Sequence, residues 1–209
     1  MNRPARALAA LTLAAAALAP AHAQDPRIGN RLDAPSRVAL VALLDSARAQ
    51  GIPVEPLMQK VNQGVAMGAD GPRIVAAVRT LTREMATAHR ALGTVATADE
   101  IQAAASAVHA GVPAVELGKI KKQSGLRRSL TLPFTVLADI VSRGVPVEAG
   151  VNAIRSLVGA GAKDTDINNF QRNVSGDIEK GAPPAAAAET RAKAVPAGKP
   201  DSAKPEQLD

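Results

Sequence analysis

A glycine, a β-branched residue and a proline recur in order along this chain, and no other feature restricts its fold as strongly. They stand in Gln50-Gly51-Ile52-Pro53-Val54-Glu55, in Ala110-Gly111-Val112-Pro113 and in Arg143-Gly144-Val145-Pro146-Val147-Glu148. Laying the first copy on the third at an offset of 93 residues matches much more than the tripeptide. Leu44 meets Leu137, Val61 meets Ile154, Val65 meets Val158, Gly68-Ala69 meets Gly161-Ala162, and Ile74 meets Ile167. The agreement continues through Leu81 with Val174, Glu84 with Asp177 and Met85 with Ile178. Apolar phase and glycine position agree together over about forty residues, which marks an internal duplication.

Each copy predicts three helices. Val38, Val41 and Leu44 in one copy, and Leu137, Ile140 and Val141 in the other, mark one helical face before the glycine. Val54, Leu57, Met58, Val61 and Val65 then follow the i, i+3, i+4, i+7, i+11 pattern of a helix and not the alternation of a strand. A third helix carries Ile74, Val78, Leu81 and Met85, matched by Ile167, Phe170, Val174 and Ile178. The tripeptide reads as a joint between helices. Gly51, Gly111 and Gly144 close one helix in the left-handed conformation, and the β-branched residue packs back on the last turn. Pro53, Pro113 and Pro146 then open the next helix, where a missing N–H costs nothing. Glu55 and Glu148 face the positive end of that new helix.

The middle copy is cut short. Ile101, Ala104, Ala105 and Val108 lead to Gly111, but the helix after Pro113 carries only Val115, Leu117 and Ile120 before Lys121-Lys122-Gln123-Ser124-Gly125 ends it. The expected fold is all-α: an array or irregular bundle of about eight short helices, built on the duplication, with a disordered C-terminal tail.

The two ends of the chain carry their own signals. Arg3 and Arg6 precede an uncharged run from Ala7 to Ala19, and Ala21-His22-Ala23 follows, so residues 1–23 read as a secretory signal peptide cleaved after Ala23. That run is shorter than the roughly 20 residues a membrane-spanning helix needs. No later segment is apolar enough to span a bilayer, so the expected location is the periplasm or the exterior of the cell. Residues 24–35 are expected to be a flexible N-terminal segment and 36–181 the helical domain. From Ala182 to Asp209 the chain holds five prolines, nine alanines and four charges of each sign, too little apolar surface to offset ordering entropy, which predicts a disordered tail.

Composition narrows the function. The chain has no cysteine, which excludes thiol catalysis, redox motifs and zinc ribbons. It has neither Trp nor Tyr, and its aromatics are Phe134 and Phe170. Without aromatic platforms for stacking bases, nucleic acid is disfavoured as a partner. Residues 24–209 carry 23 basic and 19 acidic side chains, a mild bias towards anionic partners.

Chemistry-bearing motifs are sparse. His89 and His109 stand alone on separate predicted helices, and Gly159-Ala160-Gly161-Ala162-Lys163 lacks both the spacing and the preceding strand of a phosphate loop. Asp164, Asp166 and Asn168 fall on the first three ligand positions of a calcium loop. The sixth position, Asn169, and the twelfth, Ser175, break that pattern, so Asp164 or Thr165 is expected to cap a helix with Asp166 in its first turn. Neither a metal nor a cofactor is expected. The strongest local feature is the run from Lys119 to Ser129, in which Lys119, Lys121, Lys122, Arg127 and Arg128 meet no acid. These five are the candidate anion-binding residues. Arg79, Arg83 and Arg90 share a helical face and extend the basic surface, with Glu84 beside them. The expected function is that of an exported, non-catalytic scaffold or partner-binding protein of the bacterial cell envelope. The alternative is a binder of anionic envelope components, lipid phosphate or cell-wall polymer, through that basic loop.

Overall fold

The computed structural model describes residues 32–125 and 128–195. Among them are nine helices and no strands: α1 (Ala34–Ala49), α2 (Glu55–Ala66), α3 (Gly71–Leu92), α4 (Ala98–His109), α5 (Ala114–Ser124), α6 (Thr131–Ser142), α7 (Val147–Gly159), α8 (Asp164–Glu179) and α9 (Pro184–Lys193). The expected all-α array is what the chain forms. The expected signal peptide, residues 1–23, and the rest of the chain up to residue 31 lie outside the described residues, as do 196–209.

The joints are built as their sequence dictates. At Gly51, Gly111 and Gly144 the N–H of the glycine bonds to the carbonyl three residues back. The next N–H reaches five back: Ile52 to Ala47 (2.9 Å), Val112 to Ala107 (2.9 Å) and Val145 to Ile140 (3.1 Å). This pair of bonds satisfies carbonyls that a helix C-terminus otherwise leaves bare. Gly111 and Gly144 hold φ at 99° and 94°, a region that L side chains avoid. Ile52, Val112 and Val145 are buried to within 3%, so each joint is also nailed to the core. The same bonding recurs at Gly68, Gly161 and Gly181, which makes Gly181-Ala182-Pro183 a further joint that the tripeptide search passes over. One detail of the expectation shifts. Pro113, Pro146 and Pro183 occupy the N-cap and Pro53 the residue before it, so the proline precedes the first helical residue instead of being it.

Packing follows the duplication. Helices α1, α3, α4, α6 and α8 pack on one another in that order, while α5, α7 and α9 form a second row, with α2 against α3. The triplet α1–α2–α3 matches α6–α7–α8, and the paired positions Leu44 and Leu137, Val61 and Ile154, and Ile74 and Ile167 are all buried. The two triplets part at one place. Where the first copy has Ala88, fully buried inside α3, the second has Gly181. Glycine and the prolines after it stop α8 at Glu179, whereas α3 runs on to Leu92. Both phenylalanines sit in the core, Phe134 at 0% and Phe170 at 1% exposure.

Three boundaries are corrected. The domain starts before residue 36: Leu32 is buried and the Asp33 carboxylate accepts the Ser36 N–H at 2.9 Å to cap α1. It also ends later than 181. The first part of the expected tail is α9, which lays Ala187, Ala188 and Ala192 on α7 and α8. That added helix takes the count from about eight to nine. The prolines there mark a helix start, and alanine is the best helix former. Finally, α8 is capped at Lys163 and not at Asp164 or Thr165; Asp166 reaches back to accept the Lys163 N–H at 2.9 Å.

Candidate functional site

The four candidate anion-binding residues that are described do not all turn to one side. At 100° per residue, Lys119 and Lys122 lie about 60° apart on one face of α5, while Lys121 points about 160° and 100° away from them. Lys119 lies on the surface, 2.7 Å from Glu116 one turn earlier. Lys121 turns inward onto Glu100 at 2.9 Å, with the two side chains 13% and 3% exposed. Lys122 is exposed, and Arg127 lies outside the described residues. Arg128 folds over the joint between α7 and α8, donating to the Ala162 carbonyl and to Asp164 Oδ1 at 3.2 Å. Two of the five therefore serve the fold.

Glu100 is the centre of the first of these clasps. It closes a capping box at the start of α4, where Thr97 Oγ1 accepts the Glu100 N–H and Glu100 Oε2 accepts the Thr97 N–H, both at 3.2 Å. The same carboxylate accepts the Leu130 N–H at 2.9 Å and the Lys121 ammonium. Burial is the largest single influence on this group and pushes its pKa up. The hydrogen bonds from Leu130, Lys121 and Thr97 outweigh it and hold the carboxyl below its ordinary range. Sequence inspection passes over Glu100, because its partners Lys121 and Leu130 stand 21 and 30 residues away.

A groove of about 660 Å³ crosses α2, α3, α4 and α6. Ala76, Ala77, Leu81 and Ala138 supply its apolar lining, and Thr80, Ser106 and Ser142 supply hydroxyls. Lys60, Glu84, His109 and Asp139 add charge and a titratable ring. His109 Nδ1 lies 2.7 Å from Glu84 Oε1, joining α3 to α4. Asp139 accepts from Arg143 Nε at 3.0 Å and from Gln171 Nε2 at 2.8 Å, joining α6 to α8. The duplication repeats this device: Asp177, the counterpart of Glu84, takes Arg191 of α9 at 2.6 and 2.8 Å. The groove is thus walled by the first copy, the middle hairpin and the last copy together. His89 lies elsewhere, against Gly51 and a smaller hollow with Gln50 and Arg90. Among the described residues, no three His, Asp or Glu side chains group in a way that holds a metal ion, and no helix is long and apolar enough to cross a membrane. Compared with known protein families, curated proteins and solved structures, the chain matches none.

Proposed function

We propose that this chain is an exported, non-catalytic helical-repeat protein of the bacterial cell envelope that holds a partner protein in the groove across α3, α4 and α6. The groove carries the reading. Stacked helical repeats bind through extended surfaces assembled from several units, and this groove takes side chains from four helices. Its mixture of small apolar residues, hydroxyls and both signs of charge suits an extended polypeptide, whose backbone needs donors and acceptors along its length. Arg3, Arg6 and the apolar run that follows support export.

The test is a crosslinking pull-down from the native envelope, with the wild-type chain and with Ala76→Trp, which fills the groove from an exposed position. A partner protein recovered by the wild type and lost by the variant is the expected result. Recovery of the same proteins by both, or of anionic glycan or lipid with no protein, overturns the reading.

A further inference from the structure

The longest helix carries a charge pattern that the groove does not use. Arg79, Arg83 and Arg90 of α3 are all exposed. At 100° and 1.5 Å per residue they fall within an arc of about 40° and span about 16 Å of the helix axis, so they form a single file. Glu84 is the one carboxylate in α3. It points about 100° away from Arg83, is 17% exposed and is engaged by His109. Among the described residues no carboxylate pairs with any of the three arginines. Arg83 and Arg90 each donate to the threonine three positions earlier, Thr80 at 3.3 Å and Thr87 at 3.2 Å, which leaves most of their donors facing outward.

The fold does not require this row. In α8 the position equivalent to Arg79 is Arg172, bonded to Asn169, but those equivalent to Arg83 and Arg90 are Gly176 and Pro183. Arg79 and Arg83 at i, i+4 also repel each other, so the helix keeps the row at some cost to itself.

We propose that the outward face of α3 binds a linear polyanion, whose successive oxyanions are taken by Arg79, Arg83 and Arg90. Guanidinium presents a planar fork that matches phosphate and carboxylate alike. A single file suits a polymer that runs along the helix. An anionic membrane would favour large apolar side chains beside the cations, and the exposed large hydrophobic residues, Val38, Met67, Val95 and Val115, all lie outside α3. None of the three arginines lines the groove, and Arg83 only borders it through Thr80, so the inference stands or falls without the partner reading.

The test is binding of the purified chain to long-chain inorganic polyphosphate, measured at several salt concentrations, with phosphatidylglycerol vesicles as the comparison. Binding to polyphosphate should weaken steeply with salt. R79Q/R83Q/R90Q should bind at least about tenfold more weakly, with a log–log salt slope shallower by about two to three. Lys119→Gln with Lys122→Gln, which removes exposed charge from α5, should leave both quantities unchanged. R79K/R83K/R90K keeps the charge and loses the fork, so its salt slope should match the wild type while its affinity falls. Circular dichroism confirms that each variant is folded. The proposal is overturned if the glutamine triple binds like the wild type, if the α5 variant loses as much, if vesicles bind and polyphosphate does not, or if neither binds.

Discussion

Removing the Glu100 carboxylate should weaken the middle of the array out of proportion to one side chain. Glu100→Ala leaves the Leu130 N–H, buried with a residue that is 0% exposed, without its acceptor at 2.9 Å. An orphaned buried donor costs about 1–3 kcal/mol. It also leaves Lys121, 13% exposed, without its counter-charge. Breaking a buried pair from one side costs about 3–5 kcal/mol, and the slight exposure of Lys121 lets the ammonium reach water, which favours the lower end. The losses overlap because the same carboxylate oxygens serve both partners, so the expected total is about 3–4 kcal/mol. Urea unfolding followed by circular dichroism measures this as a lowered midpoint at unchanged slope. Lys121→Met in the same chain removes the stranded cation, so the double variant should cost less than the sum of the singles by about 1–2 kcal/mol. The pH dependence supplies a second reading. A carboxyl held below its unfolded-state pKa stabilises the fold above the ordinary value of about 4.5, and that contribution is lost as pH falls through the folded value. Glu100→Gln removes the titration, so its stability relative to wild type should improve in acid. A cost for Glu100→Ala below about 1 kcal/mol, strict additivity with Lys121→Met, or parallel acid profiles for wild type and Glu100→Gln would each refute the reasoning.

The other expectations are simpler. Gly144→Ala should cost about 1–2 kcal/mol in the same unfolding assay, because at φ 94° the penalty is in the backbone and the nearest other atom is 3.9 Å from the added carbon; stability equal to wild type would show that the joint tolerates a side chain. Phe134→Ala should cost about 3–5 kcal/mol, whereas Val38→Ala, at a residue 71% exposed, should stay within about 0.5 kcal/mol. Arg191→Ala takes away the partner of Asp177, so amide exchange should accelerate across α9 and leave α6 and α7 unchanged; uniform protection along the chain would contradict the clasp.

The architecture was legible because two independent signals coincide. Leu44 with Leu137 and Val61 with Ile154 fix the apolar phase, while Gly51 with Gly144 and Gly68 with Gly161 fix the breaks between helices. Helix α9 was not legible from composition, since Pro183, Pro184 and Ala185 to Ala188 read as a disordered stretch when counted. They read as a capped helix when placed in register after the Gly181 joint. The destinations of the loop's cations were hidden for a related reason. Nearness in sequence is not nearness of charge on a helix, and Lys121 had a buried acid waiting on α4. The groove left no trace, because Lys60, Thr80, His109 and Asp139 are ordinary surface residues until four helices bring them together. The arginine row of α3 was visible as a pattern, and what only the structure supplies is the turning of Glu84 to His109.

A crosslinker placed inside the groove across α3, α4 and α6 gives the sharpest check that it holds a partner protein. A photo-reactive residue at Ser106, within the groove, is compared in the native envelope with one at Glu189, exposed on α9. A groove that holds a partner protein should give one discrete protein adduct from Ser106 and none of that size from Glu189. Equal adducts from both positions, or none from Ser106, would contradict it.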